Sequence, residues 1–135
     1  MTAVNRALNV TEELQRGNDS LAAADALAER QLWADAISRL YYFLFHSARA
    51  LLFTRGFEPK SHEGLLRLIG MHFVKTGILA PKDSHVLTQM QKYRAEADYN
   101  ASSVFTGDDF AEFKRLAVEV DLNIRTYLKE QGYRF

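Results

Sequence analysis

The chain has 135 residues, 47% of them hydrophobic and 25% charged, a composition that fits one globular domain with a real core. Seventeen basic and seventeen acidic residues cancel, so nothing in the net charge draws the protein to nucleic acid, and a local basic patch would have to do so. The absence of cysteine excludes disulfides, thiol catalysis and thiolate metal sites.

The start, "MTAVNRALNV", lacks the charged lead and apolar run of a signal peptide. No stretch approaches the roughly 18 continuous apolar residues that a membrane span needs. The expectation is a cytoplasmic protein with no membrane segment. Ala7, Val10, Leu14, Leu21, Ala24 and Ala28 recur at helical spacing and predict a first helix, bent or restarted at Gly17-Asn18-Asp19. From Trp33 to Phe53 the pattern strengthens, with Ile37, Leu40, Tyr41, Leu44, Ala48, Leu51 and Leu52 on one side of the wheel. Pro59 and Pro81 fall between periodic segments, where a helix breaker serves as a connector. Ser61 is a natural N-cap for a third helix through Leu65, Leu68, Ile69 and Phe73, ending near Gly77. A fourth helix should start between Pro81 and Ser84, with Leu87, Met90, Ala97 and Ala101 inward. Thr106, followed by acids, caps a fifth that buries Phe110, Phe113, Ala117, Val120, Ile124 and Leu128. No segment alternates with period two. The fold predicted is all-α, an antiparallel up-and-down bundle of four to five helices in a single domain over residues 1–135, its core about 15–130.

Two places could carry chemistry. On the fourth helix, Leu87, Met90 and Ala101 fall within about 40° of Arg94, and Asp98 lies about 40° away, so this pair interrupts the apolar face. An inward ion pair needs hydrogen-bonding partners or a wet seam, because its desolvation is costly. It either clamps the helix to a neighbouring helix or subunit, or offers Arg94 to a phosphate. The second helix is apolar on two sides. Opposite Ile37 stand Arg39, Tyr42, Phe43, His46, Ala50 and Phe53, with Arg49 at the border. This side is a second buried contact or dimer interface, or else Arg39, Tyr42 and His46 line a nucleotide or RNA pocket by charge and stacking.

His46, His62, His72 and His85 show no metal-binding spacing, and no metal or cofactor is expected. His62, beside Ser61, reads as a capping or interface residue. There is neither a phosphate-binding glycine loop nor a Gly-x-Ser-x-Gly elbow.

"DAISRLYYFLFHSARALLFTRGF", "KSHEGL", "HFVKTGIL" and "YRAEADY", in this order, resemble the HEPN (higher eukaryotes and prokaryotes nucleotide-binding) domain over roughly residues 15 to 130. The resemblance implies a helical bundle, commonly a homodimer, acting with a minimal nucleotidyltransferase in a toxin–antitoxin or defence pair. Many such domains are metal-independent endoribonucleases whose signature is an arginine followed closely by a histidine on a late helix. Arg94 matches the arginine. The histidine would fall at Tyr99, Asn100 or Ala101, and none of these is histidine. Without it no imidazole at that place can move the ribose 2′-hydroxyl proton near neutral pH. In some pairs the partner transfers nucleotides to a tyrosine near this motif, which makes Tyr99 a candidate acceptor by analogy. Two functions follow: an accessory subunit that binds nucleotide or RNA, and an endoribonuclease with an atypical site of Arg94, Asp98 and Tyr99, joined by His46.

Overall fold

A computed structural model describes residues 2–102 and 104–135. Five α-helices follow one another: α1 (Ala3–Glu29), α2 (Trp33–Phe53), α3 (His62–Ile69), α4 (Pro81–Tyr99) and α5 (Gly107–Glu130). Among the described residues there is no strand.

Inter-helix contacts fix the directions. Late α1 meets early α2 where Leu27, Ser38 and Arg39 share one cavity wall, while Glu13 of early α1 reaches His46 and Arg49 of late α2. These two helices are therefore antiparallel. Tyr41 and Tyr42 of α2 face Arg94, late in α4, and Tyr93 of α4 stacks on Phe113, early in α5, at 4.5 Å. Lys82, early in α4, reaches Glu119 further along α5. The four long helices thus alternate in direction, and α3 is a short insertion between α2 and α4. α2 is central, packed against all four others.

Burial explains why α2 is apolar on two sides. Ile37, Leu40, Leu44, Leu51 and Leu52 are fully buried, and Phe43, Ala50 and Phe53 on the opposite side are buried too, Phe43 directly against Gly17 of α1. Much of the second apolar face is therefore core within one chain. Gly17 makes the close approach. A Cβ there would meet the Phe43 carbonyl oxygen at 3.2 Å and the His46 Cβ at 3.5 Å.

Local signals place the helix ends. Ser61 Oγ accepts from the Gly64 amide, and Thr106 and Asp109 form a reciprocal capping box. The sequence reading needs three corrections. α1 runs unbroken through Gly17-Asn18-Asp19, because burial against α2 outweighs the weak helix propensity of these residues. The third helix stops at Ile69 and gives way to one π-helical turn, Gly70–Val74, that still buries Phe73; Gly77, at φ 81°, lies in the turn beyond. Ala101, expected inward, is exposed, because α4 ends at Tyr99 before the wheel reaches it.

Candidate functional site at the α2–α4 contact

Arg94 is 7% exposed. Leu87 and Met90 on the same face of α4 carry it into the interior, against α2. Its guanidinium carbon sits 5.5 Å from the Tyr41 ring centre, 6.0 Å from that of Tyr42 and 5.9 Å from that of Tyr99. A partly desolvated cation gains about 1–2 kcal/mol from such a ring face, so the aromatic bed replaces part of the lost hydration. Conventional partners are few and distant: Asp98 Oδ2 at 3.4 Å and Gln91 Oε1 at 3.3 Å, with Nε buried and without a hydrogen-bond partner. Burial opposes the charge. The Tyr42 phenol oxygen and hydrogen bonding to Asp98 and Tyr99 outweigh it and hold the pKa above the usual arginine value. The result is a permanent cation short of hydrogen-bond acceptors.

Asp98 is less buried than the helical phase implied: its side chain is 28% exposed, because α4 is in its last turn there. Tyr99 is 80% exposed. Asp98 joins Leu27, Asp35, Ser38, Arg39 and Tyr42 around a cavity of about 250 Å³. The Arg39 guanidinium lies 5.5 Å from the Tyr42 ring centre. Arg39, Tyr42, Arg94, Asp98 and Tyr99 are thus one neighbourhood. His46 belongs elsewhere. Its Nδ1 is 2.8 Å from Glu13 Oε2, on the α1 side of α2, and the Phe45 ring lies between it and Tyr42.

The imidazole beside Arg94 is that of His62. Its ring packs against Tyr41, Tyr42 and Phe45 at 5.1 to 6.3 Å, and Nδ1 is 2.5 Å from the Tyr41 hydroxyl. Burial, and secondarily the Arg94 charge, lowers the His62 pKa and favours the neutral ring. Burial also drives the Tyr41 phenol upward, so it keeps its proton. When the phenol donates to Nδ1 the imidazole hydrogen sits on Nε2; in the other tautomer Nδ1–H donates to the phenol oxygen. In the first tautomer His62 presents a donor on its other edge. No local pattern signals this pairing, because the contact joins residues 21 apart.

A second buried charge was also missed. Glu13, 2% exposed, binds Arg16 Nη1 at 2.9 Å, His46 Nδ1 at 2.8 Å and Arg49 Nη1 at 3.3 Å. Burial opposes its ionisation; the His46 hydrogen bond and the charges of Arg49, His46 and Arg16 outweigh it and hold the carboxyl below its usual range. Helical phase carried a usable signal, since Glu13 lies about 40° from Gly17 and about 60° from Val10 on the wheel. Among the described residues no group of three or more histidines and acids is placed to hold a metal ion. No helix there is long and apolar enough to cross a membrane.

Comparison with known proteins matches residues 10–121 to the HEPN domain. The chain is 37% identical over 95 residues to "Putative toxin MJ0605" of Methanocaldococcus jannaschii, a stretch covering 67% of this chain and 71% of that one. It is 33% identical over 89 residues to "Putative toxin MJ0142" of the same organism, covering 66% of this chain and 60% of the other. With UPF0332 protein PH1297 of Pyrococcus horikoshii it shares 40% identity over 76 residues, 56% of this chain and 49% of that protein.

Proposed function

The chain belongs to the HEPN domain family, and we propose that it acts as the HEPN subunit of a toxin-type module, binding a nucleotide or RNA over Arg94. The observation that carries this is the state of Arg94: buried, cationic, bedded on tyrosine rings and short of acceptors. A phosphate supplies charge and acceptors together, and a base adjoining it can stack on Tyr42 or Tyr99. Arg39 adds a second cation at the mouth of the neighbouring cavity. The names of the two Methanocaldococcus relatives support the toxin side. In this reading the protein is a cytoplasmic homodimer, the Arg94–Asp98 pair faces the subunit seam, and a minimal nucleotidyltransferase is the partner. Tyr99, exposed at the end of α4, is the acceptor if that partner transfers a nucleotide.

A second reading, the metal-independent endoribonuclease, has one observation in its favour: His62 brings an imidazole next to Arg94 although the motif position lacks one. Cleavage would join the ribose 2′-oxygen to phosphorus and expel the 5′-oxygen, which needs a proton. With its hydrogen on Nε2, His62 would supply that proton, whereas the proton leaving the 2′-hydroxyl would fall to Asp98, a carboxylate already paired with Arg94. The binding role is therefore preferred.

Incubating purified protein with mixed RNA and a chelator separates the two. The binding reading predicts intact RNA and retention of labelled strands on the protein. Cleavage that disappears in both Arg94→Ala and His62→Gln would establish the nuclease instead.

A further inference from the structure

On the far side of the aromatic cluster from Arg39 lies a separate cavity of about 360 Å³, lined by Phe45, Arg49, Pro59, Lys60, Ser61 and His62. We infer that this cavity binds the phosphate of a nucleotide, with Lys60, Arg49 and the outer edge of His62 as its ligands.

No lining residue is acidic, and each polar side chain has a hydrogen to donate. Lys60 is exposed. Ser61 Oγ accepts from the Gly64 amide and keeps its own hydrogen for another partner. His62 turns Nδ1 to the Tyr41 hydroxyl, which leaves Nε2 as the edge facing a ligand, a donor in the tautomer that accepts from the phenol.

Arg49 is held in place by its surroundings. Its guanidinium carbon lies 5.8 Å from the Phe45 ring centre and 5.1 Å from that of Phe53, and Nη1 is 3.3 Å from Glu13. That carboxylate is shared with Arg16 and His46 at shorter distances, so its pairing with Arg49 is the longest of the three. A rigid guanidinium, a lysine and an imidazole N–H around one cavity recognise a phosphate better than a neutral group or a cation. The volume exceeds that of a bare phosphate and falls within the range of small-ligand sites, with Phe45 as an apolar wall for the sugar or base.

The nucleotide class rests on the function proposed above, whereas the anion preference rests on the cavity itself. The phosphate ester can belong to a free mononucleotide or to a link in an RNA strand. In the second case the strand would run from this cavity across Phe45 and Tyr42 towards Arg39.

The test is amide NMR of the full-length ¹⁵N-labelled protein, titrated separately with inorganic phosphate, adenosine 5′-monophosphate and a short single-stranded RNA. Saturable shifts at Lys60, Ser61 and His62 are expected with a nucleotide ligand, weakened about tenfold by Lys60→Glu, a change at an exposed position that leaves the fold intact. If RNA also moves Arg39 and Tyr42, the strand spans both cavities. If only the mononucleotide acts, the pocket stands and RNA drops out of the proposed function. Shifts confined to Arg39, Tyr42 and Asp98 would refute the pocket and leave the Arg94 reading intact. Response to inorganic phosphate with no gain from the nucleoside would refute the nucleotide assignment. Indifference to Lys60→Glu, or no response to any probe, would refute the pocket outright.

Discussion

Two buried charges stand on either side of α2 and are treated in opposite ways. Glu13, on the α1 side, has two guanidinium partners and one imidazole, all within 3.3 Å. Arg94, on the α4 side, has one carboxylate at 3.4 Å, one amide oxygen at 3.3 Å, the hydroxyl of exposed Tyr99, and otherwise ring faces. A charge surrounded by partners ties helices together, and its removal leaves those partners unmatched. A charge short of acceptors contributes little to the fold and stays available to a ligand. Burial alone does not separate structural from functional residues; the supply of partners does.

The largest expected effect is on the well-paired side. Glu13→Ala removes the common partner of His46 and Arg49 and should lower unfolding free energy by about 3 kcal/mol, less than for a fully enclosed network because Arg16 can return to water. Chemical denaturation measures this. If the loss is below about 1 kcal/mol, Glu13 is not the tie described.

Arg94→Met should behave in the opposite way. Replacing an under-partnered buried cation with an apolar side chain of similar length should leave stability within about 1 kcal/mol of wild type, or raise it, as is common where function sets the residue. A drop as large as that of Glu13→Ala would make Arg94 a structural clamp and erase the contrast.

Acid sharpens the comparison further. The Glu13 carboxyl is depressed in the folded state, so its contribution is present above its ordinary value of 4.5 and is lost as pH falls through the folded pKa. The His62 pKa is also depressed. Below its ordinary value of 6.5 the unfolded chain takes up a proton that the folded chain does not, so stability begins to fall there and levels off below the folded pKa. Denaturation midpoints against pH should therefore show an upper step that His62→Gln removes and a lower step that Glu13→Gln reduces. A single step, unmoved by His62→Gln, would contradict the neutral imidazole.

The smallest effect concerns Tyr41→Phe. It removes the hydrogen bond to His62 and should cost about 1 kcal/mol, since His62 is half-buried and can rotate or bind water.

What the sequence made legible follows the range of each interaction. The bounds of α2, the caps at Ser61 and Thr106, and the inward phase of Arg94 are local or periodic, and they read directly. The end of α4 at Tyr99 is less legible, so Asp98 was placed too deep and Ala101 on the wrong side. The pairing of His62 with Tyr41, and of Glu13 with His46 and Arg49, depends on which helices meet. Spacing within one helix cannot encode that. Glu13 also has a side chain of the kind usually left in water, so its inward phase on α1 carried little weight against its chemistry.

The central claim is that Arg94 is held for a ligand and not for the fold. Fluorescence anisotropy of a labelled single-stranded RNA against wild type and Arg94→Met tests it most directly. At least a tenfold loss of affinity is expected, in a variant that unfolds at the same denaturant concentration as wild type or a higher one. Unchanged affinity in a folded Arg94→Met protein would contradict it.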